Sequence, residues 1–586
     1  MKSLIRLLPY LARYKKTLLY GALAVIGANL FTVAQPKFIG LAIDELKEGI
    51  ETHRFVGVDL FMWAILIVAF SLFAGFLTFL MRQTIIVVSR HIEFDLRNDL
   101  LSHLQKLHYS YFQNTSTGDL MAHATNDIAS VRNVLGPGIM YPADTIMTFS
   151  MVLTMMIILD WQLTLISLLP MPFISYIVYR MGKMINKRFT ERQEQYSILT
   201  ARAQENLSGV RVIKAYVREE FEIAYFARLS WDYLKKNMVL SQWQALLWPL
   251  MFLLVSFMFM LAIYFGGARV IDGTLTIGSL TAFFSYLLMM IWPMIAFGWV
   301  TNILQQGSAS MKRITTILDT EPLIRDTKET DFSICEIKGD VEFRNVSLTH
   351  TDSKIHTIRN LNFSIPRGIT AAFVGHVGSG KSTIVNLIER LYESTEGDVL
   401  IDGVNIKKIP LDVLRSNVGI VPQETFLFSD TIAENIKYGT SNGTPEQIQH
   451  ASEIAQLIKD INEFPQRFDT IIGERGITLS GGQKQRAGIA RAIIREPKIL
   501  ILDDALSAVD TYTEDEILIR LRDFMNGRTS IIISHRISTV KNADVIFVLD
   551  KGEIIERGTH DELIAVGGIY ADLYERQLLE EELEKL

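Results

Sequence analysis

Six long stretches without a single charged residue decide what this chain can become. A helix rises about 1.5 Å per residue, so crossing about 30 Å of hydrocarbon takes about 20 apolar residues. Thr17–Pro36 and Phe61–Met81 are free of charge. Thr145–Leu159 and Trp161–Tyr179 are parted only by Asp160, which reads as a tight loop. Asn237–Ala268 and Gly273–Met311 are parted by a turn containing Arg269 and Asp272. A soluble helix keeps a polar face, and six runs without one predict six membrane spans in three hairpins.

Composition agrees. Of 586 residues, 49% are hydrophobic and 21% charged, too apolar overall for a disordered or nucleic-acid-binding chain. The single cysteine, Cys335, excludes a disulfide scaffold and a cysteine-based zinc site. Residues 1–320 hold 28 Lys+Arg against 21 Asp+Glu, and residues 321–586 hold 30 against 43. A sparsely charged basic part therefore precedes a charge-rich acidic one. Five basic residues from Lys2 to Lys16 precede the first span, and the loop after it is mostly acidic. The positive-inside rule then predicts a cytoplasmic N-terminus and a multi-pass protein of the cell membrane. The opening residues lack a cleavable-leader pattern, so the first span is expected to be retained. An amphipathic Leu4–Arg13 would lead into it along the inner surface.

Two polar excursions, Arg82–Val134 and Arg180–Lys236, are helical in composition. The simplest reading continues each span about 37 Å into the cytoplasm and back. Bend signals fall at Asn114–Asp119 and at Ser208-Gly209, and apolar Tyr111, Phe112 and Tyr216 near those tips predict contact with whatever sits beneath.

From Gly339 the pattern turns to short apolar strands alternating with helices, an α/β arrangement. The strand AAFV is followed by Gly375-His-Val-Gly-Ser-Gly-Lys-Ser382 and a helical run, which satisfies G-x-x-x-x-G-K-[ST] in its required context. Glycines let the backbone close on phosphates, and N–H groups at a helix start point at the anion. Lys381 supplies a point charge, and Ser382 a hydroxyl for Mg2+. Ile499–Asp503 is an apolar strand ending in a carboxylate suited to holding that ion. Leu479–Arg486 (LSGGQKQR) is a Gly-rich turn opening another helix.

The order GHVGSGKST, Gln423 in VPQE, LSGGQKQR, ILILDD, SAVD and Ser534-His535 resembles the nucleotide-binding domain of ATP-binding cassette (ABC) transporters. Six spans followed by one such domain resemble a half-size ABC exporter. The resemblance implies an all-α transmembrane domain (1–320), a linker (321–338), an α/β P-loop cassette (339–575) and an acidic tail (576–586). It implies ATP at Gly375, Gly378, Ser379, Gly380, Lys381, Ser382 and Thr383, with the base stacked on His350. Mg2+ would be held by Ser382, Gln423 and Asp503, and the attacking water handled by Asp504, His535 and Gln423. Two chains would pair head to tail, so that Leu479, Ser480, Gly481, Gly482 and Gln483 of one face the ATP of the other, with Asp510 at the seam. The tips near Asp119 and Val212 would carry closure to the spans, and GERG (473–476) resembles the segment that meets them.

Three positions depart from the family pattern. Asp504 stands where the family usually places Glu, so its carboxylate is drawn back by about 1.5 Å, and a misplacement near 1 Å can cost on the order of 10²-fold in rate. This leads to the expectation of a heterodimer in which this chain's own ATP site is slow and a second half-transporter supplies the Glu. His350 replaces the usual Tyr, and His376 in the phosphate loop has no account. The cargo is expected to be an amphipathic small molecule, because spans five and six are rich in Met and Phe. Asp144, Met289 and Trp292 are the cavity candidates. The alternatives are a homodimeric lipid flippase of the same fold and an ATP-binding regulatory subunit without transport of its own.

Overall fold

The computed structural model describes residues 2–53, 55–349, 356–473 and 479–584. The chain divides into two compact units, Met1–Gln105 with Thr117–Thr320 and Lys106–Ser116 with Glu321–Leu586.

The first unit is helical, as hydrocarbon requires when backbone groups can pair only within the segment. Among the described residues, five helices are long and apolar enough to cross a membrane: Lys15–Thr52, Gly57–Leu104, Thr117–Leu159, Glu219–Ile271 and Ile277–Leu318. The fourth expected span is not a continuous helix. It runs as Trp161–Leu168, turns at Leu169–Pro170, and resumes as Met171–Ser208. Pro170 and Pro172 have no N–H, so the carbonyls one turn earlier lose their donors and the ladder stops. A charge-free run reports solubility in lipid, not continuity of that ladder. The second excursion breaks where the sequence signals it, with helix ends at Ser208 and Val210.

The membrane core gathers Val33, Val152, Met156, Leu163, Met258, Ala262, Phe283 and Leu287. Buried Tyr286 completes it by donating its hydroxyl to the Val33 carbonyl at 3.0 Å. Near the N-terminus the expected amphipathic lead-in is a 3₁₀ turn, Lys2–Leu7, followed by helix Leu8–Arg13. It is tied to the second long helix by Tyr10 to Asp99 at 2.6 Å and Arg13 to Asp95 at 3.1 Å.

One polar knot in this unit was not foreseen. His123–Asp127 is a single π-helical turn, a widening that commonly marks a functional position. It presents buried Asp127 to Ser310 Oγ at 2.8 Å and Arg313 Nε at 2.8 Å, while His123 Nδ1 lies at 2.6 Å.

The second unit contains two sheets. Strands β1 (Val341–Thr349), β2 (His356–Ile365), β4 (Glu396–Ile401) and β5 (Val404–Asn405) form an antiparallel sheet in the order β2-β1-β4-β5. Strands β3 (Thr370–Gly375), β6 (Val418–Val421), β7 (Ile499–Asp503), β8 (Thr529–Ile533), β9 (Val545–Asp550) and β10 (Glu553–Gly558) form the other, in the order β10-β9-β3-β8-β7-β6. Its strands from β9 to β6 are parallel, and β10 closes the edge antiparallel to β9. All residues of β7 and β8 are buried, which is why both read as unbroken apolar runs. Segment 106–116 belongs to this unit through a short helix, Tyr109–Asn114. The Tyr392 hydroxyl donates to Gln113 Oε1, and the rings of Tyr109 and Tyr392 meet edge-on with centroids 6.0 Å apart.

Candidate nucleotide site

Parallel strands in an open α/β sheet leave their carboxyl ends as the place for ligands. Here β3 lies between β8 and β9, and its end runs through Gly375 into the loop that opens helix Lys381–Ile388. Gly375 has φ +150°, and a Cβ there would sit 2.2 Å from the Leu549 carbonyl oxygen. Gly380, at φ +100°, would place a Cβ 2.9 Å from the Thr357 carbonyl oxygen. The loop thus closes tightly only because these positions carry no side chain.

Lys381 is buried, and its Nζ donates to the carbonyls of Gly375 and His376 at 2.9 Å each and to Ser379 Oγ at 3.3 Å. Burial pushes this ammonium below its ordinary range, opposed by the carboxylates of Asp503 and Asp504. Asp503 ends β7 and is shifted the other way. Burial raises it, a hydrogen bond from Ser382 lowers it, Asp504 raises it further, and Lys381 and His535 pull it down. These mutual effects place Lys381, Ser382, Asp503, Asp504 and His535 in one electrostatic neighbourhood at the strand ends. Gln423, two residues past β6, joins them with Nε2 3.4 Å from Asp504 Oδ2. Asp504 itself is left-handed, with φ +48°, and its N–H donates to the Ile533 carbonyl at 2.8 Å. His535 is exposed just beyond β8, Ser379 is buried, and Gly378 has φ +83°.

A cradle with no room for side chains, a buried ammonium holding loop oxygens, and a hydroxyl paired to a carboxylate suit a phosphate chain and a hard cation. Lys381 at present spends its donors on the loop's own oxygens. Thr383 follows on the helix and lines a cavity of about 940 Å³. His350 lies outside the described residues, as do Glu474–Gly476 of the GERG segment; Gly473 precedes them at φ +100°.

The signature segment forms a separate feature. Ser480 caps helix Gly481–Ile493: its Oγ accepts from the Gln483 N–H at 3.3 Å, and Gln483 Oε1 accepts from the Ser480 N–H at 2.9 Å. A Cβ on Gly482 would lie 3.0 Å from the Ala508 carbonyl oxygen, and Leu479 is buried. Among the described residues, no hydrogen bond links Ser480, Gly482 or Gln483 to the loop 375–382. Sequence reading overlooked Gln485, which fastens this helix to the stretch after Asp504. Its Nε2 donates to Ser507 Oγ and its Oε1 accepts from the Ala508 N–H, both at 2.9 Å. Asp510 accepts from the Thr513 N–H at 2.9 Å, and that capping bond holds it below the usual carboxylate range.

In the membrane unit, Asp144 Oδ1 accepts from Asn29 Nδ2 at 2.8 Å, and Thr148 donates to Asn29 Oδ1. A mostly apolar cavity of about 570 Å³ opens beside the break in the fourth span, bordered by Thr145, Phe149, Leu168, Pro172 and Pro293. The three expected cavity residues are not among its lining: Asp144 is engaged by Asn29, Met289 packs on the core, and Trp292 is exposed. Pro170-Met-Pro172 was the available signal for this cavity.

Comparison with known proteins agrees with both units. Residues 18–294 match the family "ABC transporter transmembrane region", and residues 358–507 match the family "ABC transporter". The chain is 38% identical over 558 residues to the "Probable multidrug resistance ABC transporter ATP-binding/permease protein YheI" of Bacillus subtilis (strain 168), covering 95% of this chain and 94% of that protein. It is 34% identical to the "ATP-dependent lipid A-core flippase" of Desulfotalea psychrophila (strain LSv54 / DSM 12343), covering 96% and 97%. A solved bacterial Atm1-family ABC exporter with ATP bound superposes with a TM-score of 0.80 at 28% identity, over 96% of this chain and 99% of that one. The chain therefore belongs to the ABC transporter family, with transmembrane region and ATPase domain in one polypeptide, a half-transporter architecture that couples ATP hydrolysis to export through the cell membrane.

Proposed function

We propose that this chain is one subunit of a heterodimeric exporter of amphipathic small molecules, and that its own ATP site turns over slowly. The triphosphate would lie along Gly375–Thr383 with Lys381 turning from the loop carbonyls to the phosphates. Ser382, Asp503 and Gln423 would hold Mg2+, which when bound neutralises phosphate charge. Leu479, Ser480, Gly481, Gly482 and Gln483 would face the nucleotide of the second chain, beside Asp510. His535 would reach the terminal phosphate from its exposed position.

Asp504 carries the slow-site reading. Its short side chain stands 3.4 Å from Gln423, beyond the usual span of a strong hydrogen bond, on a backbone already in the left-handed region. A carboxylate held back by one methylene orients water poorly. The test is the ATPase rate of the purified full-length chain in lipid nanodiscs, alone and as Asp504→Glu. The wild-type chain alone is expected to be slow, with Asp504→Glu faster by about 10- to 100-fold. Vigorous turnover by the wild-type chain alone sinks the heterodimer.

A second reading, a homodimeric lipid flippase, is favoured by the relative named as a lipid A-core flippase. It requires ATPase activity stimulated by lipid rather than by drug-like amphiphiles, without any second protein.

A further inference from the structure

Ser480 is exposed at the start of helix Gly481–Ile493, beside the first N–H groups of that helix. Its Oγ accepts from the Gln483 N–H, so the hydroxyl keeps its own proton to donate to an anion. That aim depends on Gln483, whose carboxamide is engaged at both ends inside the chain. Gln483 Oε1 accepts from the Ser480 N–H at 2.9 Å, and Nε2 donates to Asp460 Oδ1 at 2.9 Å. Asp460 stands on a separate short helix, Ile458–Glu463. An amide held at both ends has one orientation, so the direction of the Ser480 backbone is set from Asp460.

The same carboxylate has a second attachment. Arg486 Nη2 donates to Asp460 Oδ1 at 3.2 Å, and Nη1 lies 2.9 Å from Oδ2. The side chains of Asp460 and Arg486 are only 17% and 14% exposed, so solvent screens this pair weakly. Arg486 also donates to the Gln456 carbonyl at 2.8 Å and reaches back to the Gly482 carbonyl at 3.4 Å. One carboxylate thus fixes Gln483 and Arg486 and, through them, Ser480 and Gly482. The guanidinium in turn neutralises a negative charge beside a surface that is to accept phosphate.

Resting on the reading that Ser480 faces the nucleotide of the second chain, we propose that Asp460 is a positioning residue for ATP turnover. It acts through Gln483 and Arg486 on the aim of the signature segment and does not itself touch the nucleotide.

The experiment uses the transporter purified through a tag on this full-length chain, with whatever second subunit it retains, in lipid nanodiscs. ATPase turnover is compared with equilibrium ATP binding in the absence of Mg2+. The variants are Asp460→Ala, Asp460→Asn, Ser480→Ala and the double variant Asp460→Ala with Ser480→Ala. Asp460→Ala is expected to lower turnover about tenfold, the order set by one charge-assisted hydrogen bond, with the amount and affinity of bound ATP unchanged. Asp460→Asn keeps an acceptor for Gln483 Nε2 and should recover part of that loss. The double variant should turn over no more slowly than Ser480→Ala alone, because both changes act through one group. Losses that multiply in the double variant, unchanged turnover in Asp460→Ala, or a fall in bound ATP that matches the fall in turnover would each overturn the proposal. Ser480→Ala separates the two layers. If it leaves turnover unchanged, the signature reading itself fails and the proposal with it; if it lowers turnover, the Asp460 variants decide the positioning role alone.

Discussion

The two units were shaped by different solvents, and the contrast explains why they are written in different codes. In the membrane unit, lipid demands only that a helix be apolar for long enough, so residue identity is weakly specified and packing arises from Met, Phe and Leu in many arrangements. In the nucleotide unit, a phosphate chain demands backbone shape to within a fraction of an ångström. Gly375 and Gly380 are specified by the carbonyls of Leu549 and Thr357 standing where a Cβ would be. A substitution should therefore be catastrophic at a few named positions in one unit and tolerated at most positions in the other.

The largest expected effect is at Gly375. Gly375→Val forces a side chain into the Leu549 carbonyl and should weaken ATP binding by this chain at least about 10²-fold with the membrane unit intact, measured by equilibrium nucleotide binding beside the thermal melt of the helices. An exception within the membrane unit sharpens the comparison. Asp127→Ala removes the acceptor for Ser310 and Arg313 and should cost about 2 kcal/mol, reduced from the figure for a fully buried pair because Arg313 is half exposed. Loss of transport out of proportion to ATPase activity would show that the π-turn also has a coupling role.

A pH effect of intermediate size is expected in the nucleotide unit. Burial pushes Glu389, just past the phosphate-loop helix, up to about 7 against the pull of Arg415 and Arg495. The folded unit then holds this proton more tightly than the unfolded chain does. Its contribution to stability is complete below the ordinary Glu range and is lost as pH rises through about 7. Melts between pH 4.5 and 8 should show this loss, on the order of 1–3 kcal/mol, and Glu389→Gln should flatten it. The smallest effect is expected at the broken fourth span. Pro172→Ala restores one donor to the ladder and should alter stability by less than about 1 kcal/mol, while reshaping the adjoining cavity enough to shift cargo preference in a transport assay.

The same contrast governs how far the sequence could be read. The fold class and the family were legible because apolar run length and the GHVGSGKST and LSGGQKQR spacings each follow from one strong physical demand. The break at Leu169–Pro170 was missed because charge-free residues were counted and donors were not; the two prolines were in plain view. The tie from Asp127 to Arg313 was not legible at all, since HATND carries no sign of a π-turn and its partner lies far along the chain. Gln485 stood inside a motif already noticed, but its role depends on Ser507 and Ala508 folding back against it. The tips at Tyr109–Asn114 could be located but not their partner, because Tyr392 becomes a neighbour only in three dimensions.

Retention of radiolabelled ATP by the full-length chain and by Lys381→Ala, both in nanodiscs with Mg2+ present, bears most directly on the nucleotide unit. The expected result is ATP held by the wild type long enough to survive rapid gel filtration and lost almost completely from Lys381→Ala. Equal retention by both, or none by the wild type even with candidate second subunits added, would contradict the assignment of loop 375–382 as the ATP site.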